Sequence, residues 1–66
     1  MTHRQECIAT CMDYLNQLSL AAIFSMAVFN KYYDSINAKF KNAYSVGIAA
    51  ADSMINSFNN LKTQEV

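Results

Sequence analysis

The sequence predicts an all-α protein, and three of its general features support this fold class. The chain of 66 residues has no proline and a single glycine, so it lacks the residues that tight turns and β-hairpins use. With 53% hydrophobic and 15% charged residues, it is too apolar and too weakly charged to be a disordered tail. Its apolar residues recur at spacings of three and four, the period of an amphipathic helix. We therefore expect one small helical domain over residues 1–66.

The first predicted helix covers residues 3–30. Thr2 and Gln5 have the spacing of a capping box, in which each side chain bonds a backbone N–H at the start of the helix. Glu6 suits the positive end of the helix dipole. An apolar stripe then continues along one face and includes Ile8, Cys11, Leu15, Leu18, Ala22, Met26 and Phe29.

The second predicted helix covers residues 35–61. Its apolar stripe includes Tyr33, Ile36, Phe40, Tyr44, Gly47, Ala51, Met54, Phe58 and Leu61. We expect the turn at residues 30–34, because Asn30 tolerates a left-handed C-cap and Asp34 or Ser35 can cap the helix that follows. Two long amphipathic helices joined in this way form an antiparallel helical hairpin.

Two other arrangements compete with the hairpin. One uninterrupted helix would be about 90 Å long at 1.5 Å per residue and would need a coiled-coil partner, but the stripe is too mixed in size for a regular zipper. A further break near Gly47 would give three helices. We rank this below the hairpin because Gly47 falls in register with the apolar stripe.

The most apolar segment is LSLAAIFSMAVF, residues 18–29. It is shorter than the roughly 20 apolar residues that a membrane span needs, and it does not have the form of a signal peptide, so we expect a cytoplasmic protein. From Leu20 to Phe29, apolar residues cover nearly the whole helix circumference, which one partner helix cannot bury. We therefore expect two hairpins to dimerise into a four-helix bundle, or a host or cognate protein to cover this segment.

A ridge of small residues supports close helix contact. Ala43, Gly47 and Ala51 follow one another at steps of four, and the contact they allow lies either in the dimer or inside the hairpin. Tyr32 is expected to point outward, since Tyr33 belongs to the stripe. The predicted interface comprises Leu20, Ile23, Phe24, Ala27, Tyr32, Ala43, Gly47 and Ala51.

The N-terminal helix carries soft metal ligands at steps of four. His3, Cys7 and Cys11 would share one helix face, and imidazole and thiolate suit zinc or copper(I). Cys7 and Cys11 also lie on the apolar stripe, where small buried residues are expected. We favour the core interpretation and predict no metal and no cofactor.

The charge balance and the motifs of the chain argue against two classes of function, nucleic-acid binding and catalysis. Five basic residues balance five acidic ones, which does not suit a protein that binds nucleic acid through its phosphates. The chain has one histidine and no nucleophile placed beside a base, so we predict that it is not an enzyme. We expect a small interaction module, such as an adaptor, inhibitor or regulator. The alternative is a membrane-active peptide, such as a small toxin, bacteriocin-like factor or lysis regulator.

Overall fold

Three α-helices and one turn of 3₁₀-helix make up the computed structural model, which describes residues 1–64 and the side chains of residues 1–61. The helices are α1 (His3–Gln17), α2 (Met26–Lys39) and α3 (Ala43–Gln64), and the 3₁₀ turn is Ala21–Ile23. No strand occurs within residues 1–64, so the all-α prediction is confirmed for this part of the chain. Residues 65 and 66, which the single-domain prediction also includes, lie outside it.

The start of α1 agrees with the sequence prediction. The Thr2 hydroxyl accepts a hydrogen bond from the Gln5 N–H at 3.1 Å, and the Gln5 side-chain oxygen accepts one from the Thr2 N–H at 2.8 Å. These two bonds form the predicted capping box. They satisfy two backbone donors that the first turn of a helix leaves without an intrahelical partner.

The end of α1 differs from the prediction, because the helix stops at Gln17 and does not continue to residue 30. Ser19 adopts a left-handed conformation with φ 60°. The Leu20 N–H then donates to the Leu15 carbonyl at 2.7 Å, and the Ser19 N–H donates to the Asn16 carbonyl at 3.0 Å. This pair of bonds is a Schellman motif, which satisfies the last carbonyls of a helix and turns the chain away from its axis.

The second helix begins inside the apolar run. The Ser25 hydroxyl accepts a hydrogen bond from the Val28 N–H at 3.3 Å and caps α2. The predicted turn at residues 30–34 is therefore wrong: Asn30, Asp34 and Ser35 all lie within α2 on exposed positions. The two serines of LSLAAIFSMAVF interrupt the helix, so the run is a connection and not the centre of one helix.

A second break separates α2 from α3. Phe40 is extended, with φ −120° and ψ 134°, and ends α2. Asn42 caps α3, since its side-chain oxygen accepts a hydrogen bond from the Ser45 N–H at 2.8 Å. The chain thus has three helices and not two, and its second break lies before Gly47 instead of at it. Two such chains would bring six helices together, so the predicted four-helix bundle does not describe this fold.

The core lies between all three helices, with α3 in contact with both others. His3 contacts Asn37, which places the start of α1 beside the end of α2. Val28, near the start of α2, and Leu61, near the end of α3, line one depression, and a short link joins the end of α2 to the start of α3, so α2 and α3 are antiparallel. The buried apolar residues are Cys7, Cys11, Leu15, Phe29, Ile36, Val46, Ala50, Ala51 and Met54.

Candidate interaction surfaces

The predicted metal ligands lie on one side of α1, but they face different surroundings. The His3 Nε2 atom is 3.7 Å from the Cys7 Sγ atom and 2.7 Å from the Asn37 side-chain oxygen. Cys11 lies one turn further on and directs its sulfur into the core, where it is 4.0 Å from the Met54 sulfur. His3 is exposed, whereas both cysteines are fully buried.

The chemistry of the two thiols is that of core residues. Burial raises the pKa of Cys7, with a further contribution from the negative charge of Glu6, and burial alone raises the pKa of Cys11 to about 11. A thiolate is the form that attacks electrophiles, so burial makes both groups weaker nucleophiles than an exposed cysteine. Among the described residues, no three His, Cys, Asp or Glu side chains are grouped so that they could hold a metal ion.

The ridge of small residues lies inside the chain's own fold. Gly47 and Ala51 are buried, and Ala43 is half-buried against the core. A Cβ atom at Gly47 would lie 2.5 Å from the Thr10 Cβ atom and 2.8 Å from the Cys7 carbonyl oxygen. Gly47 thus permits the close approach of α1 to α3. Of the two contacts expected for it, one in a dimer and one inside the chain, this is the one inside the chain. In this fold, neither Gly47 nor Ala51 is accessible to a partner.

The other predicted interface residues have varied positions. Leu20, Ile23 and Phe24 lie in the connection between α1 and α2 and pack in part against the core, whereas Ala27 is exposed. Tyr32 is half-buried against the core, and the Lys31 ammonium group is 5.5 Å from its ring centroid. Of the twelve residues of the apolar run, six are exposed, five are half-buried and Phe29 is buried.

One apolar depression lies between the α1–α2 connection and α3. We call it the apolar groove; it is lined by Ala22, Ile23, Val28, Met54, Phe58 and Leu61, with two serines beside them. Its volume is about 270 Å³. Ala22 and Leu61 are exposed, and none of the lining residues within 1–61 is charged.

A second depression lies where α1 and α3 meet and has aromatic walls. We call it the tyrosine groove; Tyr14, Phe40, Tyr44 and Ile48 form its walls, and its volume is about 360 Å³. Tyr44 is 70% exposed and Phe40 is 43% exposed. Sequence reasoning placed both on the buried stripe, because it assumed one uninterrupted helix from residue 35. The break at Phe40–Asn42 interrupts that helix, and both rings lie beside it: Phe40 ends α2, and Tyr44 lies in the first turn of α3.

Arg4 forms a contact between helices that the sequence did not indicate. Its guanidinium group lies 5.6 Å from the ring centroid of Phe29 and 5.8 Å from that of Tyr33, and it donates a hydrogen bond to the Asn30 side-chain oxygen. Phe29 and Tyr33 also stack, with their centroids 5.4 Å apart. This arrangement fixes the first turn of α1 to the middle of α2 through cation–π and stacking contacts.

Within residues 1–64, none of the helices combines the length and the apolar character that crossing a bilayer requires. Comparison of the chain with protein-family models, with curated proteins and with solved structures found no match.

Proposed function

We propose that this chain is a small helical interaction protein that acts by binding another protein and not by catalysis, and that its first partner is a second copy of itself. The observation that carries this proposal is the apolar groove between the α1–α2 connection and α3. Its lining combines exposed Ala22 and Leu61 with partly buried Ile23 and Val28, and the described side chains that line it carry no charge. We place its site of action in the cytoplasm.

The available surface is compatible with a dimer. A stable interface takes roughly 800 Å² from each partner, and the whole chain has an accessible surface of 4540 Å². Less than a fifth of the surface would therefore suffice. A second copy presents the same apolar groove, so a two-fold contact would bury apolar surface from both chains.

Light scattering over a dilution series tests the dimer. We expect the mass of two chains for the wild type and of one chain for Ala22→Asp, since this exposed alanine would place a carboxylate inside the contact. Ala38→Asp introduces the same charge at an exposed position of α2 outside the groove and should leave the dimer intact. A wild-type chain that is monomeric at every concentration would refute the self-association. Flotation of such a monomer with liposomes would favour the membrane-active alternative.

A further inference from the structure

The tyrosine groove differs from the apolar groove in both composition and charge. Tyr44 is 70% exposed and lines the groove together with Phe40, Ile48 and Tyr14. Tyrosine is enriched among the residues that contribute most to binding at protein interfaces, because its ring supplies apolar area and its hydroxyl supplies a hydrogen bond. The exposed ring of Tyr44 is not part of the chain's own core.

Two aspartates contribute negative charge to this site. Asp52 lines the tyrosine groove, and Asp13 lines a smaller depression that shares Tyr14, Tyr44 and Ile48 with it. Both aspartates are exposed. Among the described side chains, those that line the two depressions include no lysine, arginine or histidine. A ligand that fills the groove therefore meets aromatic and aliphatic side chains together with carboxylates.

The length of the site fits two turns of a helix. Tyr44 and Asp52 lie on α3 eight residues apart, which corresponds to about 12 Å at 1.5 Å per residue. Helical ligands of grooves present apolar anchors at i, i+4 and i+7, and these anchors span nearly the same distance. The site follows the seam between α1 and α3, so its walls come from both helices.

We propose that the tyrosine groove binds an amphipathic helix of another protein, one that carries lysine or arginine beside its apolar anchors. The anchors fill the space between Phe40, Tyr44 and Ile48, and the basic side chains pair with Asp13 and Asp52. This inference deepens the proposed function as an interaction protein, but it uses a surface separate from the apolar groove. A second copy is a less suitable occupant, because the groove would have to meet a different face of the same chain, and such head-to-tail contacts form rings or open filaments and not a two-fold dimer.

A display library of 18-residue amphipathic helices tests the proposal, with lysine, glutamate and glutamine varied at the polar positions. Selection against the wild-type chain should enrich lysine beside the apolar anchors. Tyr44→Ser should weaken the selected helices about tenfold or more, as expected for a central interface residue. Met12→Ser, a substitution at a 48% exposed position outside the groove, should leave their affinity unchanged.

The charge contribution is tested separately. Asp13→Asn combined with Asp52→Asn should lower the affinity about fivefold near 0.05 M salt and reduce its dependence on salt, because exposed charge pairs are screened. Asp34→Asn, on the exposed face of α2, is the matched control. Enrichment of neutral or acidic helices, no enrichment at all, or binding that survives Tyr44→Ser would each overturn the proposal.

The same variants distinguish the binding of a helix at the tyrosine groove from dimerisation through the apolar groove. Tyr44→Ser should keep the wild-type mass in light scattering, since Tyr44 does not line the apolar groove. Loss of helix binding with the mass unchanged supports the tyrosine groove as a distinct site. A filament that forms in the wild type and disappears in Tyr44→Ser would instead identify a second copy as the occupant and overturn the assignment to another protein.

Discussion

At the scale of single residues, Gly47 determines how closely α1 and α3 approach. Its missing side chain leaves room for the Thr10 methyl group and the Cys7 carbonyl oxygen. Glycine inside a helix costs about 1 kcal/mol relative to alanine, so a contact must offset that cost. The contact is buried and includes backbone on the α1 side, which cannot move away as a flexible side chain could.

Gly47→Ala should therefore destabilise the fold, although alanine is the better helix former. The added methyl group would lie 2.8 Å from a backbone oxygen, and relieving such overpacking typically costs about 1–3 kcal/mol. For a domain of this size, each 1 kcal/mol lowers the melting temperature by about 4–8 °C. Thermal unfolding followed by circular dichroism measures the shift.

Asn56→Ala provides the control, because it tests helix propensity alone at an exposed position of the same helix. We expect its melting temperature to stay unchanged or rise slightly. If Gly47→Ala were as stable as the wild type, the close contact between α1 and α3 would not exist as described.

At the scale of helices, two serines and an asparagine determine where the chain changes direction. Ser19 ends α1 through its left-handed conformation, Ser25 caps α2, and Asn42 caps α3. A left-handed conformation costs a non-glycine residue roughly 1–2 kcal/mol, which the two hydrogen bonds of the Schellman motif offset. Serine is thus tolerated at Ser19, but it is not the residue that best fits there.

Ser19→Gly should raise the stability of the chain by about 1 kcal/mol, since glycine adopts this backbone conformation without steric cost. Ser35→Gly makes the identical substitution at an exposed position within α2 and should lower the stability by a similar amount. Urea unfolding of the three proteins gives both differences. Equal effects of the two substitutions would show that the connection after Gln17 does not have the conformation described.

The all-α fold class was predictable from the sequence, but the residues at which the helices begin and end mostly were not. The capping box at Thr2 and Gln5 and the buried positions of Cys11, Leu15 and Met54 follow from spacing alone. The breaks at residues 18–25 and 40–42 do not, because serine is a weak helix-termination signal and neither break contains glycine or proline.

Because spacing alone does not predict the two helix breaks, it does not predict the tyrosine groove either. Periodicity assigns buried positions within a helix, but it does not show where a helix is interrupted. Gly47, Ala51 and Met54 of the predicted stripe are buried in α3, whereas Tyr44 lies in its first turn, directly after the break, and is exposed. The tyrosine groove could not be anticipated without the position of the second break.

At the scale of the whole molecule, the small core limits the free energy of unfolding, and association with a partner would increase it. Among the side chains of residues 1–61, nine apolar ones are buried, and two of them are alanines and two are cysteines, so the core lacks the volume that larger domains bury. Chains below about 70–80 residues generally need reinforcement by disulfides, metals or partners. Both cysteines are free. The proposed partner at the apolar groove would supply such reinforcement.

The melting temperature should therefore depend on the concentration of the chain. When unfolding is coupled to dissociation of a dimer, mass action stabilises the folded state as concentration rises. For a dimer of two 66-residue chains, a tenfold increase should raise the melting temperature by about 5 °C. Ala22→Asp should remove this dependence because it separates the chains, whereas Ala38→Asp should keep it. A wild-type melting temperature that is constant over a hundredfold range would mean that the core folds without a second copy and that the apolar groove has another role.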